Sequence, residues 1–199
     1  YIVDFSGLDI EGKYQVVAGD MRQTLEVKSG ALRDVAKAAL KAFYYQRSGV
    51  EIEAKYAGKW ARPLGHPDTN VMVHPTAATK ERPAGTIISS PFGWYDAGDY
   101  NKYIVNSAYS IGIMLQMYET IPEYFEKFDV DIPETGNGVP DLLDEIYFNL
   151  KWMATMQDTD GGLYHKLTTP NFEAFVMPSE CKQQRYVVQK TVTASYDYA

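Results

Sequence analysis

Apolar and polar positions alternate with a period of two at the start of the chain and change to a helical period near residue 30. Tyr1–Phe5 and Gly12–Val17, set around Gly7 and Gly12, predict two strands joined by a turn. Two strands are marginal in water by themselves, so residues 1–28 read as the last strands of a β-sandwich. From Ser29 onward Leu32, Val35, Ala36, Ala39, Leu40 and Phe43 recur at three and four, predicting a helix with Ser29 as N-cap that ends near Ser48-Gly49. Pro63, Pro67, Pro75, Pro83 and Pro91 then interrupt any period over residues 50–98. Tyr56, Trp60, Phe92, Trp94 and Tyr95 make that stretch an ordered loop rather than a solvated spacer, and long loops inside a compact domain are usually functional.

From Asn101 to about Ile121 the pattern is helical and apolar nearly all round, with Ile104, Val105, Ala108, Ile111, Leu115 and Tyr118 on one side and Ile113, Met114 and Met117 on another. Such a helix is expected to be buried on most faces. Pro122 opens a short segment through Phe128. A third long helix starts at Asn137-Gly138-Val139-Pro140, with Pro140 in its first turn and Leu143, Ile146, Tyr147, Leu150 and Met153 as its inner stripe, and stops at Asp158–Gly162. Residues 163–190 read as a mixed polar loop and Val192–Ala199 as the beginning of a fourth helix. The expectation is a mainly α chain in two parts, residues 1–28 and 29–199. Its long helices and aromatic-rich loops fit part of an α-helical toroid whose loops at one end build the site.

Composition narrows the function classes. With 199 residues, 45% of them hydrophobic, the chain can bury one sizeable core. A formal charge of −7 and the lack of any Lys/Arg cluster exclude a nucleic-acid footprint. No apolar run approaches the ~20 residues of a membrane-spanning helix, and the first residues lack the layout of a signal peptide. The single cysteine, Cys181, excludes an internal disulfide framework and a Cys-rich zinc knuckle while leaving the compartment open. Sixteen Tyr, eight Phe and three Trp beside an acidic balance suit a carbohydrate cleft, because sugar C–H faces stack on aromatic planes while carboxylates take hydroxyls. The same residues also suit core packing.

The chemistry concentrates in Gly93–Tyr103, where Asp96 and Asp99 stand three residues apart across the small residues Ala97 and Gly98. Hydrolysing an acetal by single displacement needs one carboxylate to deprotonate a water and a separate acid ~6.5–9.5 Å away to protonate the leaving oxygen. Two aspartates this close do not suit that pair, but they suit sharing the water, one accepting its proton and the other orienting it. Two other readings fit the same residues. Asp99 can cap a helix beginning at Tyr100, or Asp96, Asp99 and Asn101 can belong to a calcium-type loop.

The string Asp96-Ala97-Gly98-Asp99-Tyr100-Asn101-Lys102-Tyr103, preceded by Gly93-Trp94, resembles the aspartate signature of glycoside hydrolase family 9. Three more segments agree in order and spacing: Ala42–Gly49, Gly136–Glu145 and Trp152–Lys166. Asp4-Phe5-Ser6-Gly7-Leu8 is similar to the end of the immunoglobulin-like module that precedes this domain in one branch of the family. The resemblance implies an incomplete (α/α)6 barrel, its N-terminal part, after the last strands of that module. It implies an inverting cellulase acting on cellulose or a related β-1,4-glucan, secreted or in the cell envelope, monomeric and needing no cofactor. The same scaffold also carries exo-cellodextrinase, xyloglucanase and glucosaminidase specificities, and a non-catalytic carbohydrate-binding protein is the rival from another class.

By motif position Asp99 is the expected general base and Asp96 its partner in holding the water. The family's general acid is a glutamate much further along the domain, which Glu134, Glu145 and Glu180 do not match; Glu145 reads as a structural hydrogen-bonder. His165 is placed where a cleft histidine can bond a glucosyl unit, and Trp94, Tyr95 and Tyr103 where they can line sugar subsites, each with packing as the alternative. Some members hold zinc through a Cys, a Cys-His pair and a His at positions that here carry Ser48, Gly65-His66 and Tyr100. That set is therefore expected to be lost, with His66 a loop hydrogen-bonder and His74 and Cys181 without a role. Calcium sites occur elsewhere in the family, and no local cluster here carries one over.

Overall fold

The computed structural model describes residues 2–199, which fall into two compact units, one ending at Ala39 and the other Leu40–Ala199. In the first, β1 (Gly12–Ala18) and β2 (Met21–Val27) form an antiparallel hairpin in register from Gly12↔Val27 to Ala18↔Met21. The expected hairpin is thus displaced along the chain. Tyr1 lies outside the described residues, and Ile2–Phe5 is no strand: the Asp4 carboxylate accepts the Ser6 N–H at 2.8 Å, an Asx-type turn that competes with extended pairing. Ser29 is not an N-cap either. Its own N–H goes to Glu11, the chain turns through Gly30–Leu32, and helix α1 runs Arg33–Gln46. Leu32 and Val35 are consequently exposed, whereas Leu40 and Tyr44 are buried.

The second unit is organised by helices α3 (Ile104–Thr120), α5 (Asp141–Thr155) and α6 (Val192–Tyr198), with α3 packed on the other two. Short helices α2 (Ala54–Ala57) and α4 (Pro122–Phe125) punctuate the loops. Although α3 is apolar all round, only the stripe Ile104, Ser107, Ala108, Ile111 and Met114 is buried, while Tyr109, Ile113, Leu115 and Met117 are exposed. The expectation of burial on most faces is corrected: α5 and the short α6, packed on α3, cover one stripe. On α5, Pro140 precedes the first turn, and the inner face is Leu142, Glu145, Ile146, Asn149, Trp152 and Met153. Tyr147, expected inside, is exposed. The face was misread because two of its members, Glu145 and Asn149, are polar residues whose partners wait inside.

The segments read as loop, together with Lys102–Tyr103 from the start of the stretch expected to be helical, contain a five-stranded sheet. Its strands are β3 (Val71–Val73), β4 (Ile87–Ile88), β5 (Lys102–Tyr103), β6 (Lys166–Thr168) and β7 (Arg185–Val187), in the order β4-β3-β7-β6-β5. The β3–β7 pair is parallel and the others antiparallel. Strands of two or three residues are too short for alternation to show. The sheet nevertheless decides where the aspartates go, because it draws residues 71–103 and 163–190 together around buried Val71, Val73, Leu167 and Val187.

Candidate active site

Strand β5 fixes the end of the aspartate loop by pairing Lys102↔Leu167 and Tyr103↔Lys166. The loop then closes on itself, with Asp96 N donating to Asn101 O at 2.9 Å and Tyr100 N to Ala97 O at 3.1 Å. Asn101 is fully buried, and its Oδ1 accepts the Thr169 N–H at 3.1 Å, pinning the loop to the segment after β6. Asp99, half-buried, accepts three hydrogen bonds: Asn101 N at 3.1 Å, Asn101 Nδ2 at 3.2 Å and Tyr103 OH at 2.9 Å. Asp96 is exposed and accepts Asn106 Nδ2 of α3 at 2.7 Å. The two carboxylates are therefore held by different anchors, one by the strand and one by the helix. Neither caps α3, which starts five residues after Asp99. The donors that surround them are also the wrong partners for a calcium loop, whose ligands must be acceptors.

In front of the loop, Asp96, Tyr103, Asn106, Phe43, Gln46 and Ser107 line a cavity of about 130 Å³. A Cβ built on Gly98 would meet nothing within 4 Å, so the approach between the aspartates is open. Behind it there is no spare room. Gly93 has φ +85°, and a Cβ there would stand 2.7 Å from the Trp152 ring, so only glycine fits. The Trp94 N–H donates to Asn149 Oδ1 at 2.9 Å and its indole Nε1–H to Glu145 Oε1 at 2.7 Å. Arg47 joins Glu145 at 3.0 Å and forks onto Glu134 at 3.0 Å. Burial alone would lower Arg47, but Glu145 and Glu134 outweigh it and raise its pKa further. Glu145 thus has the structural role expected of it.

Trp94 and Tyr95 are only 5% and 3% exposed. They are part of the cavity's lining, and the polar atom of each side chain is committed inside the protein, Trp94 Nε1 to Glu145 and Tyr95 OH to His66 Nδ1 at 2.9 Å. Their place here is packing; neither offers a free ring face for a sugar to stack on. Burial pushes the Tyr95 phenol up to about 12. Tyr103 is half-buried, and its phenol is raised by burial and then by the bond to Asp99. His165 is half-buried too. Its carbonyl accepts the Ile104 N–H at 3.1 Å and its Nδ1 pairs with Thr191 Oγ1 at 3.0 Å, which sets it beside the end of β5.

The largest omission from sequence reasoning is the buried charge cluster under the loop. Lys102, fully buried, sends its Nζ to Ser90 O at 3.1 Å, Phe92 O at 2.7 Å and Asp68 Oδ2 at 2.8 Å. Arg185 bonds the same carboxylate at 3.2 Å and reaches the Tyr100 carbonyl at 2.8 Å. Burial lowers Lys102 to about 8; burial would raise Asp68, but Lys102 and Arg185 outweigh it and hold the carboxyl below its ordinary value. The available signal was a lysine in the middle of the Asp-x-x-Lys-Tyr string. Asp68 and Arg185, 117 residues apart, gave none.

The positions that depart from the zinc pattern do come together. Ser48 Oγ donates to His66 O at 3.3 Å, and the His66 and Tyr100 rings lie 5.9 Å apart, with a hydroxyl and a phenol where the pattern has ligands. Among the described residues, His66, Glu173 and Cys181 form a separate group whose ligand atoms lie within 4.8 Å of one another.

Residues 33–199 match Glycosyl hydrolase family 9. Over 198 residues the chain is 58% identical to the Xyloglucan-specific endo-beta-1,4-glucanase BoGH9A of Bacteroides ovatus, covering 99% of this chain and 34% of that protein. It is 31% identical over 203 residues to Endoglucanase D of Acetivibrio thermocellus, covering 100% of this chain and 32% of that one. The solved structure of Bacteroides ovatus GH9 superposes with a TM-score of 0.92 at 58% identity, covering 98% of this chain and 36% of the other. The chain therefore spans about a third of the length of these relatives. With the family match reaching from α1 to the last residue, and the aspartate loop folded as described, the chain belongs to glycosyl hydrolase family 9.

Proposed function

We propose that the protein carrying this chain is an endo-acting β-1,4-glucanase that hydrolyses its substrate by single displacement with inversion, Asp99 acting as general base and Asp96 holding the water. One observation carries this reading. Asp99 is fixed by three donors while Asp96 stands exposed across an open approach at Gly98, so a water lodged there meets one rigid acceptor and one accessible partner. The water oxygen bonds to the anomeric carbon, its proton passes to Asp99, and the leaving oxygen takes a proton from a separate acid. Glu134 and Glu145 are locked on Arg47, and Glu180 accepts the Met177 N–H at 3.0 Å. By the resemblance to the family, the acid is assigned instead to a glutamate outside residues 1–199.

Xyloglucan is the first substrate to test, because the 58% identical relative carries that specificity in its name. In the same reading, α3, α5 and α6 belong to an (α/α)6 barrel, and the β1–β2 hairpin ends an immunoglobulin-like module. His165 and Tyr103 contact sugar near the cleavage point. The enzyme works as a secreted or cell-envelope monomer without a cofactor; no helix among the described residues is long and apolar enough to cross a membrane.

The test is Asp99→Asn in the full-length protein, assayed on xyloglucan and on unsubstituted β-1,4-glucan. Removing the base is expected to lower kcat by roughly 10²–10⁴-fold with the thermal melt unchanged. Near-wild-type turnover in that variant, or a first product that keeps the β configuration by NMR, overturns the assignment.

A further inference from the structure

The His66, Glu173 and Cys181 group shares no residue with the aspartate pair and has no part in the proposed hydrolysis. Its ligand atoms are an imidazole nitrogen, a carboxylate oxygen and a thiol sulfur, all within 4.8 Å of one another. Two of them are anomalous. His66 is 8% exposed, its Nε2 is buried, and that nitrogen has no hydrogen-bond partner among the described residues. Glu173 Oε1 is buried and equally without one. A buried polar atom left unpaired costs ~1–3 kcal/mol, and such atoms are rare in folded proteins. Two side chains with orphaned atoms grouped with one thiol, itself bonded only weakly to the Met177 carbonyl at 3.7 Å, call for a common partner.

We propose that these three side chains bind a zinc-type divalent cation. A tetrahedral ion about 2.0–2.3 Å from a histidine nitrogen, a carboxylate oxygen and a thiolate sulfur separates the ligand atoms by about 3.3–3.7 Å, and the three atoms here, all within 4.8 Å of one another, are close enough to gather around it. A thiolate and a carboxylate together neutralise a 2+ ion. The mixture of sulfur, imidazole and one carboxylate favours zinc over magnesium or calcium, which take all-oxygen sets. Three protein ligands leave the fourth tetrahedral position to water. The set differs from the cysteine–histidine pattern discussed above, with which it shares only His66.

The surroundings are built to hold these groups in place. A Cβ on Gly65 would stand 2.5 Å from Pro178 Cβ, so only glycine lets the His66 segment lie directly against the 3₁₀ turn Pro178–Glu180 that delivers Cys181. The turn is closed by Glu180 accepting the Met177 N–H, and Tyr100 OH donates to Val176 O at 2.7 Å, tying the segment to the aspartate loop. With its proton on Nδ1, His66 donates to Tyr95 OH and keeps the Nε2 lone pair for the ion. Metal-ligating histidines commonly use this outer hydrogen bond.

The measurement is metal binding by the full-length protein after chelator treatment, with zinc by calorimetry and cobalt by absorption. The wild type is expected to bind one more equivalent of zinc than Cys181→Ser, and its cobalt form to show a thiolate charge-transfer band that Cys181→Ser lacks. Tyr95→Phe, which removes only the outer partner, should weaken binding by roughly 10–100-fold without abolishing the band. Equal stoichiometry in wild type and Cys181→Ser, or a cobalt spectrum without the band in folded wild-type protein, overturns the site.

Discussion

Asp68 and His66 stand two residues apart on one loop, both nearly enclosed, and their surroundings are opposite. Asp68 is shared by Lys102 and Arg185, and those cations in turn hold the carbonyls of Ser90, Phe92 and Tyr100, so the carboxylate is doubly paired and the cations' further donors are taken by the backbone around the aspartate loop. His66 has one satisfied nitrogen and one with no hydrogen-bond partner among the described residues, in the group it forms with Glu173 and Cys181. Equal burial therefore conceals unequal dependence. The first cluster is framework, and its loss should spread through the fold; the second is a gap in the bonding, and its loss in the absence of metal should be felt little.

The largest effect is expected at Lys102. Lys102→Met should cost about 3–5 kcal/mol in a denaturant titration, because it removes the shorter of the two ion pairs of buried Asp68 and leaves two carbonyls unpaired, and hydrolytic activity should fall with it. A change below ~1 kcal/mol would erase the contrast. Asn101→Ala, which frees the Thr169 N–H and removes the side-chain bond to Asp99 while keeping the backbone one, should cost roughly 1–3 kcal/mol by the same measurement.

A third saturated group permits a pH test. Burial tends to raise Asp158, but its bond to Lys190, the Thr159 N–H and the charges of Lys190 and Arg82 hold it below its ordinary value. The unfolded chain takes up the proton first as acid is added. Stability from this carboxylate is thus fully present above about pH 4 and is lost as pH falls through its lower folded value. Asp158→Asn should melt lower than wild type at neutral pH and converge on it in acid; parallel curves would remove the assigned role. The smallest effect belongs to His66→Gln in metal-free protein, expected to lose only the Tyr95 contact, about 0.5–1.5 kcal/mol. A loss as large as that of Lys102→Met would show that His66 is framework too.

What was legible in the sequence followed the length and regularity of each element. The long helices α3 and α5 were visible because Leu, Ile and Met recur over four turns, and the aspartate loop because two acids flank Ala97-Gly98 beside a matching string. The five-stranded sheet was not, since Lys102–Tyr103 or Ile87–Ile88 is too short to show alternation. Faces were read by apolarity, which failed on α5 because Glu145 and Asn149 turn inward to meet Arg47 and Trp94, residues about fifty to a hundred positions earlier. The clusters around Asp68 and Cys181 join residues separated by more than a hundred positions, and no local pattern announces them.

Gly93 and Gly98 frame the same loop but offer different freedoms to anyone wishing to alter the protein. Gly93 is closed to variation by the Trp152 ring, and a saturation library should return glycine alone. Gly98 has neither a left-handed φ nor a neighbour within reach of a Cβ, so the fold gives no reason for its being glycine. Under the proposed function, any demand on residue 98 comes from the solvent side, where a sugar chain would approach. Side chains of increasing size at residue 98 should therefore leave the melting temperature unchanged while progressively narrowing which glucans are accepted, making it a dial for retuning substrate range without rebuilding the scaffold.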